Sequence, residues 1–144
     1  NPMDERAAAS AFNLAIEAQK PEFEQFFLAR FLGLEFDYTD ERCVVTFEPK
    51  DFMFNPQGSL HGGIIATVLD ISMGHLLNHL QGPGTTLEMK TQYVKAVRHG
   101  KIRCCGEFVR RGRGISFLKS TMTDEEGATV AFATSTWMQL KKSA

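Results

Sequence analysis

The run Asn55-Pro56-Gln57-Gly58-Ser59-Leu60-His61-Gly62-Gly63 leads a polar loop to two adjacent glycines, and a single acid, Asp70, follows inside the apolar stretch beyond them. A helix that starts here leaves its first backbone N–H groups without intrahelical acceptors. With the helix dipole behind them, these groups make a site for an anion or for a carbonyl oxygen. Glycine lets a ligand come close to that backbone. Asp70 lies seven residues after Gly63, which at about 3.6 residues per turn returns it to nearly the same helix face. A carboxylate among Ile65, Val68, Leu69 and Ile71 is costly to bury without a partner or a task. Preorganised N–H donors of this kind can hold a carbonyl oxygen and stabilise charge on it.

The same residues have plainer readings. The glycine pair permits close helix packing, Asp70 can be a buried acid satisfied by backbone donors, and Asn55 before Pro56 can be a turn residue only. His61 reads as a structural hydrogen-bonding residue, and Thr86 as a β-branched strand residue first. Arg110, Arg111 and Arg113 around Gly112, with Lys95, Arg98 and Lys101, form a local positive region suited to phosphates or, equally, a solvated hairpin end.

The elements that must position these groups follow from periodicity. Apolar residues surround the segment His61 to Leu80 on nearly every side, which describes a buried helix about 28 Å long, stopped by Gln81-Gly82-Pro83-Gly84. Before it come a surface helix over Asp4 to Lys20 with Asp4 as N-cap and a second helical segment opened by Pro21 and ended by Gly33. Two strands, Leu34 to Tyr38 and Cys43 to Glu48, flank the turn Thr39-Asp40-Glu41-Arg42, and an irregular loop runs from Pro49 to Leu60. After Gly84 the pattern is one of strands: Thr85 to Val97, Lys101 to Arg111, Gly114 to Thr123 and Ala128 to Leu140. The expected architecture is α+β, a curved antiparallel sheet wrapped around one wholly buried helix.

Composition sets the outer bounds. The chain has 144 residues, the size of one domain, with 16 Lys and Arg against 17 Asp and Glu, so it is not a globally basic nucleic-acid binder. No apolar run approaches the roughly 18 residues of a membrane helix, and residues 1–6 are polar rather than signal-like, so a cytoplasmic location is expected, with neither membrane nor nucleic acid as partner. Cys43, Cys104 and Cys105 are an odd set without metal-ligand spacing and read as small buried thiols, and no metal site is expected.

The pattern N-x-x-G-x-x-H-G-G, an aspartate nine residues after the histidine, and Pro83-Gly84-Thr85-Thr86-Leu87-Glu88-Met89 resemble the phenylacetate-pathway branch of the hotdog-fold thioesterases, in the 4-hydroxybenzoyl-CoA thioesterase superfamily. The resemblance runs from about Gly33 to Leu140 and takes in Gly100, Arg111-Gly112-Arg113 and Asp124 to Gly127. It implies a hotdog domain over residues 33–144 carrying a helical extension over residues 1–32. It also implies hydrolysis of an acyl-CoA thioester, with coenzyme A part of the substrate and no separate cofactor. The amide matching Gly62 would bind the carbonyl oxygen, with Gly63 beside it, and the carboxylate matching Asp70, from the facing subunit, would act as general base or nucleophile. Asn55 and Thr86 would position water or substrate, and His61 would shape the start of the helix. Arg110, Arg111 and Arg113 would meet the phosphates of coenzyme A.

Trp137 and the N-terminal phenylalanines then read as core or as a lid over the acyl group. Phe26, Phe27, Phe52, Phe54, Met73 and Leu77 suggest a pocket for aromatic or medium-chain acyl groups. A hydratase or dehydratase of the same fold is an alternative, but in that family an aspartate precedes the Asn-Pro by two residues, and Met53 stands there. A second alternative is an acyl-CoA-binding domain without turnover. A single wrapped sheet leaves an edge strand and one flank of the helix start uncovered, so a homodimer, paired further into a tetramer, is expected.

Overall fold

The computed structural model describes residues 2–141. Residue 1 and residues 142–144, the outer ends of the two expected segments, lie outside the described residues. Helix α1 (Glu5–Ala18) is capped by Asp4, whose side chain accepts from the Ala7 N–H, and short α2 (Phe27–Phe31) packs on it through Phe12, Phe27 and Phe31. Strands β1 (Glu35–Thr39) and β2 (Arg42–Phe47) form a hairpin around Asp40 and Glu41, both at positive φ. Helix α3 (Gly62–Gln81) follows, and β3 (Gly84–Tyr93), β4 (Ile102–Arg110), β5 (Ile115–Thr123) and β6 (Thr129–Gln139) complete the chain. All strand pairs are antiparallel, in the order β1-β2-β4-β5-β6-β3. Helix α3 packs against β2, β3, β4, β5 and β6. This is the expected α+β hotdog arrangement.

The inner face of the sheet explains its own sequence. Along β6 the residues facing the helix are Ala131, Ala133, Ser135 and Trp137, while Phe132, Thr134 and Met138 face outward. Small side chains under the helix let its backbone approach the sheet. At Gly106 on β4 the approach is closest, since a Cβ there would lie 2.5 Å from the Ser72 carbonyl oxygen. Backbone cannot move aside as a side-chain tip can. Gly106→Ala is therefore expected to cost more than about 2 kcal/mol of stability in denaturant unfolding. The polar atoms trapped at this seam are paired: Ser72 Oγ and Ser120 Oγ lie 2.6 Å apart, with Cys104 Sγ 3.1 Å from Ser120 Oγ.

Three expectations need correction. The helix expected from Pro21 is only Phe27–Phe31; before it the chain turns, and Glu24 sits at φ +66°. Tertiary bonds outweigh helix propensity there, because the Glu24 N–H donates to His75 Nε2 at 3.3 Å and the Tyr38 hydroxyl donates to the Glu24 carboxylate. Helix α3 is not wholly buried. Residues 71–77 are buried, but Ala66, Thr67 and Asp70 remain partly open on one side. Finally, Cys43 and Cys104 are buried on the inner face, whereas Cys105 points to the outer face and is only half-buried.

Candidate active site

Asp70 lies midway along α3, on the side the sheet leaves open. Its Oδ1 accepts a 2.8 Å hydrogen bond from Thr86 Oγ1 on β3. Burial pushes the Asp70 carboxyl above its ordinary range, and the Thr86 bond opposes that by favouring the charged form. The carboxylate opens onto a cavity of about 710 Å³, a volume suited to a small-molecule ligand. Beyond Asp70 and Thr67 the walls are mainly apolar, with Ile71 and Gly74 of α3, Met89 of β3 and Trp137 of β6 among them. The connection between α1 and α2, with the start of α2, closes one side with Phe23, Phe26 and Leu28.

At the start of α3, His61 is the N-cap, and its Nδ1 accepts from the Gly63 N–H at 2.8 Å. The N–H groups of Ile64 and Ile65 both reach the His61 carbonyl. That leaves the Gly62 N–H without a hydrogen-bond partner among the described residues. Tyr93 of β3 stands over this turn, its hydroxyl donating to the Gly62 carbonyl at 3.0 Å. The two glycines thus differ in a way the sequence does not reveal: one amide is used by the cap and the other is available. The His61 cap is unusual in residue type. Histidine is not a preferred N-cap, and only the position of its ring shows the role.

Of the other expected site residues, Asn55 and Arg111 have partners of their own. Asn55 folds its own loop: Oδ1 accepts from the Gln57 and Ser59 N–H groups at 3.0 and 3.2 Å, and Nδ2 donates to Ser59 Oγ at 3.0 Å. Its turn-forming role is therefore complete within residues 55–59. Arg110, Arg111 and Arg113 sit at the far end of α3 from Gly62, some 27 Å along the helix axis at about 1.5 Å per residue. Arg111 is engaged there with Gln81 Oε1, the Leu80 carbonyl and Glu41, so one chain does not bring these arginines to Gly62. Arg111→Ala should fray the helix C-terminus and lower stability by about 1 kcal/mol in thermal melts. Of the cations grouped with them, Arg98 lies by the helix start, donating to the Gln57 and Gly58 carbonyls, and Lys95 pairs with Asp124.

The expected apolar pocket is also only partly where it was placed. Phe26 lines the cavity, but Phe31 and Phe52 stack on each other in a cluster with Phe27, and Met73 and Leu77 are fully buried in the core. Phe23, His75 and Met89 line the cavity instead. Burial pushes His75 below its ordinary pKa against the pull of the Glu24 carboxylate, which suits a neutral ring whose Nε2 accepts from Glu24.

A carboxylate and a free amide are thus set on the central helix of a hotdog frame. Comparison with known proteins fixes the family. A family model described as "Thioesterase superfamily" matches residues 57–131, more than half of the chain, and the chain belongs to that superfamily. The medium/long-chain acyl-CoA thioesterase YigI of Escherichia coli strain K12 is 26% identical over 129 residues, which span 76% of this chain and 83% of that protein. Among solved structures, BH2602 of Bacillus halodurans, crystallised with CoA, superposes with a TM-score of 0.87 at 24% identity, covering 99% of this chain and 97% of that one. PaaI from the phenylacetic acid degradation operon of E. coli superposes with a TM-score of 0.79 at 16% identity, covering 94% and 97%. These solved structures share the fold of this chain. Among the described residues, no helix is long and apolar enough to cross a membrane.

Proposed function

We propose that the protein is an acyl-CoA thioesterase that cleaves R-CO-S-CoA with water to a carboxylic acid and free coenzyme A. The observation that carries this reading is Asp70: a carboxylate held by Thr86, raised in pKa by burial, at an apolar cavity. The names of YigI and of the CoA-bound neighbour support coenzyme A as the thiol. Water attacks the thioester carbonyl as Asp70 takes its proton, the Gly62 N–H holds the resulting oxyanion, and collapse expels the thiolate, which is then protonated. A direct attack by the Asp70 carboxylate is the other route, and the same residues serve it. Coenzyme A enters as substrate, and no separate cofactor takes part.

The two groups come from different subunits in this proposal. Gly62 and Asp70 are eight residues apart on one helix, about 12 Å along its axis. Hydrogen-bond contacts of about 3 Å from both to one reacting carbonyl therefore favour a facing copy of α3. The free outer edge of β3 offers a place for that copy to pair. Light scattering at micromolar concentration should give a dimer or a tetramer, and a monomer would defeat the shared site.

The exposed cations Arg110 and Arg113, with Arg111 anchoring the hairpin, are assigned to the coenzyme A phosphates. Alanine at Arg110 and Arg113 should raise KM several-fold at low salt and leave kcat unaltered. The difference should vanish at high salt, where screening acts within a few ångströms. Equal KM values at both salt concentrations would remove the hairpin from the site. The test of the whole reading is thiol release from a panel of acyl-CoAs, repeated on Asp70→Asn. No release from any of them would leave the binding-domain alternative.

A further inference from the structure

The strap formed by residues 21–28 is built to hold one position. Glu24 adopts the left-handed backbone conformation, uncommon for a non-glycine residue, and it is fixed from two sides. Its N–H is held by His75 of α3 and its carboxylate by Tyr38 of β1. The Lys20 N–H closes the strap on the Gln25 carbonyl at 2.8 Å. This places Phe23 edge-on to His75, with ring centroids 4.8 Å apart, and Phe26 at 5.7 Å from the same ring. Phe23 and Phe26 both line the Asp70 cavity, and Phe23 is 39% exposed although it is large and apolar.

The cavity runs along α3 from Ala66 to His75, and from Asp70 to His75, on which Phe23 packs, is five positions, or about 7.5 Å. Gly74 lines it, and a Cβ there would meet the Trp137 ring at 2.6 Å, so helix and sheet are in close contact at that point. A two-carbon acyl group held at Asp70 would stop short of the strap, whereas a chain of medium length would reach it.

We infer that the strap is the wall meeting the far end of the acyl group, that Phe23 is the specificity-determining residue, and that the groups accepted are extended apolar chains of medium length. This rests on the hydrolytic reading of Asp70. His75 is a positioning residue: it touches the strap and sets where Phe23 stands.

The test uses the full chain with butyryl-, octanoyl-, dodecanoyl- and palmitoyl-CoA, and, apart from turnover, titration with decanoate read by the fluorescence of Trp137, the single tryptophan. The parent should favour octanoyl- over butyryl-CoA by at least about tenfold in kcat/KM. In Phe23→Ala the dodecanoyl-to-octanoyl ratio should rise about tenfold, carried by KM, and decanoate should bind about tenfold more weakly. His75→Leu, which lacks the acceptor, should flatten the chain-length profile. His75→Gln, whose amide oxygen can accept from Glu24, should restore it.

A parent without preference for octanoyl- over butyryl-CoA overturns the chain-length assignment. If the parent turns over acyl-CoAs but Phe23→Ala keeps both its ratio and its decanoate affinity within twofold, the strap assignment falls and hydrolysis stands. If the parent releases no thiol yet binds decanoate in a way Phe23→Ala weakens, hydrolysis falls and the acyl cavity stands.

Discussion

Asp70→Asn is expected to lower turnover by about 10² to 10⁴ while leaving a folded protein, because the amide keeps the shape and the Thr86 bond but cannot take a proton. A loss smaller than about threefold in thiol release would make Asp70 structural. The pH dependence carries a sign. Asp70 works only when ionised, and burial raises its pKa, so activity is present above that raised value and disappears as pH falls through it. The acid limb of kcat/KM should therefore lie above the roughly 3.9 of a free aspartate. Thr86→Val removes the bond that favours the charged form and should move the limb further up. Stability runs the other way. An acid with a raised folded-state pKa contributes stability that is full at low pH and lost as pH rises through that pKa. Asp70→Asn should thus melt no lower than the parent at neutral pH, which separates lost chemistry from lost structure.

The second large effect tests the shared site. Gly62→Pro deletes one N–H at the first position of α3, where proline is well tolerated, and His61 before it already has the extended backbone (ψ 133°) that proline demands. The Cβ direction at Gly62 meets the Tyr93 ring at 3.3 Å, and Tyr93 is exposed enough to shift. Loss of one carbonyl-oxygen donor should cost about 10² to 10³ in kcat. Mixed with Asp70→Ala and allowed to exchange subunits, this inactive variant should recover about a quarter of parental activity. Roughly half the dimers are then mixed, and one site of two in each has an intact Gly62 from one chain and an intact Asp70 from the other. Mixed dimers confirmed by mass analysis but still inactive would place both groups in one chain.

The sequence makes the frame legible because its long elements have strong periods. The apolar run after His61, the stop at Gly82 and the alternation along β4 and β6 each follow from local rules that packing then reinforces. Asp70 is legible as an acid out of place in an apolar helix. What is not legible depends on pairs far apart in the chain. Glu24 and His75, 51 residues apart, turn an expected helix into a strap. Tyr93 meets Gly62 across 31 residues, and the difference between Gly62 and Gly63 is set by the direction of one imidazole. That the arginine hairpin meets the C-terminal end of α3 is equally hidden, because a sequence does not show which end of a helix a later turn reaches.

Cys43 and Cys104 on the inner face bear on the chemistry around the enzyme. Burial, with like-charge neighbours adding to it at Cys43, pushes the Cys43 thiol up to about 12, and burial pushes Cys104 to about 11. Both therefore stay in the thiol form at neutral pH, and thiolate is the form that attacks a disulfide. A thioesterase sets free a thiol at every turnover, and where an oxidant such as dioxygen turns that thiol into a disulfide, the two inner sulfurs are screened from exchange with it by burial and by protonation. Cys105, on the outer face, lies away from the helix and sheet seam.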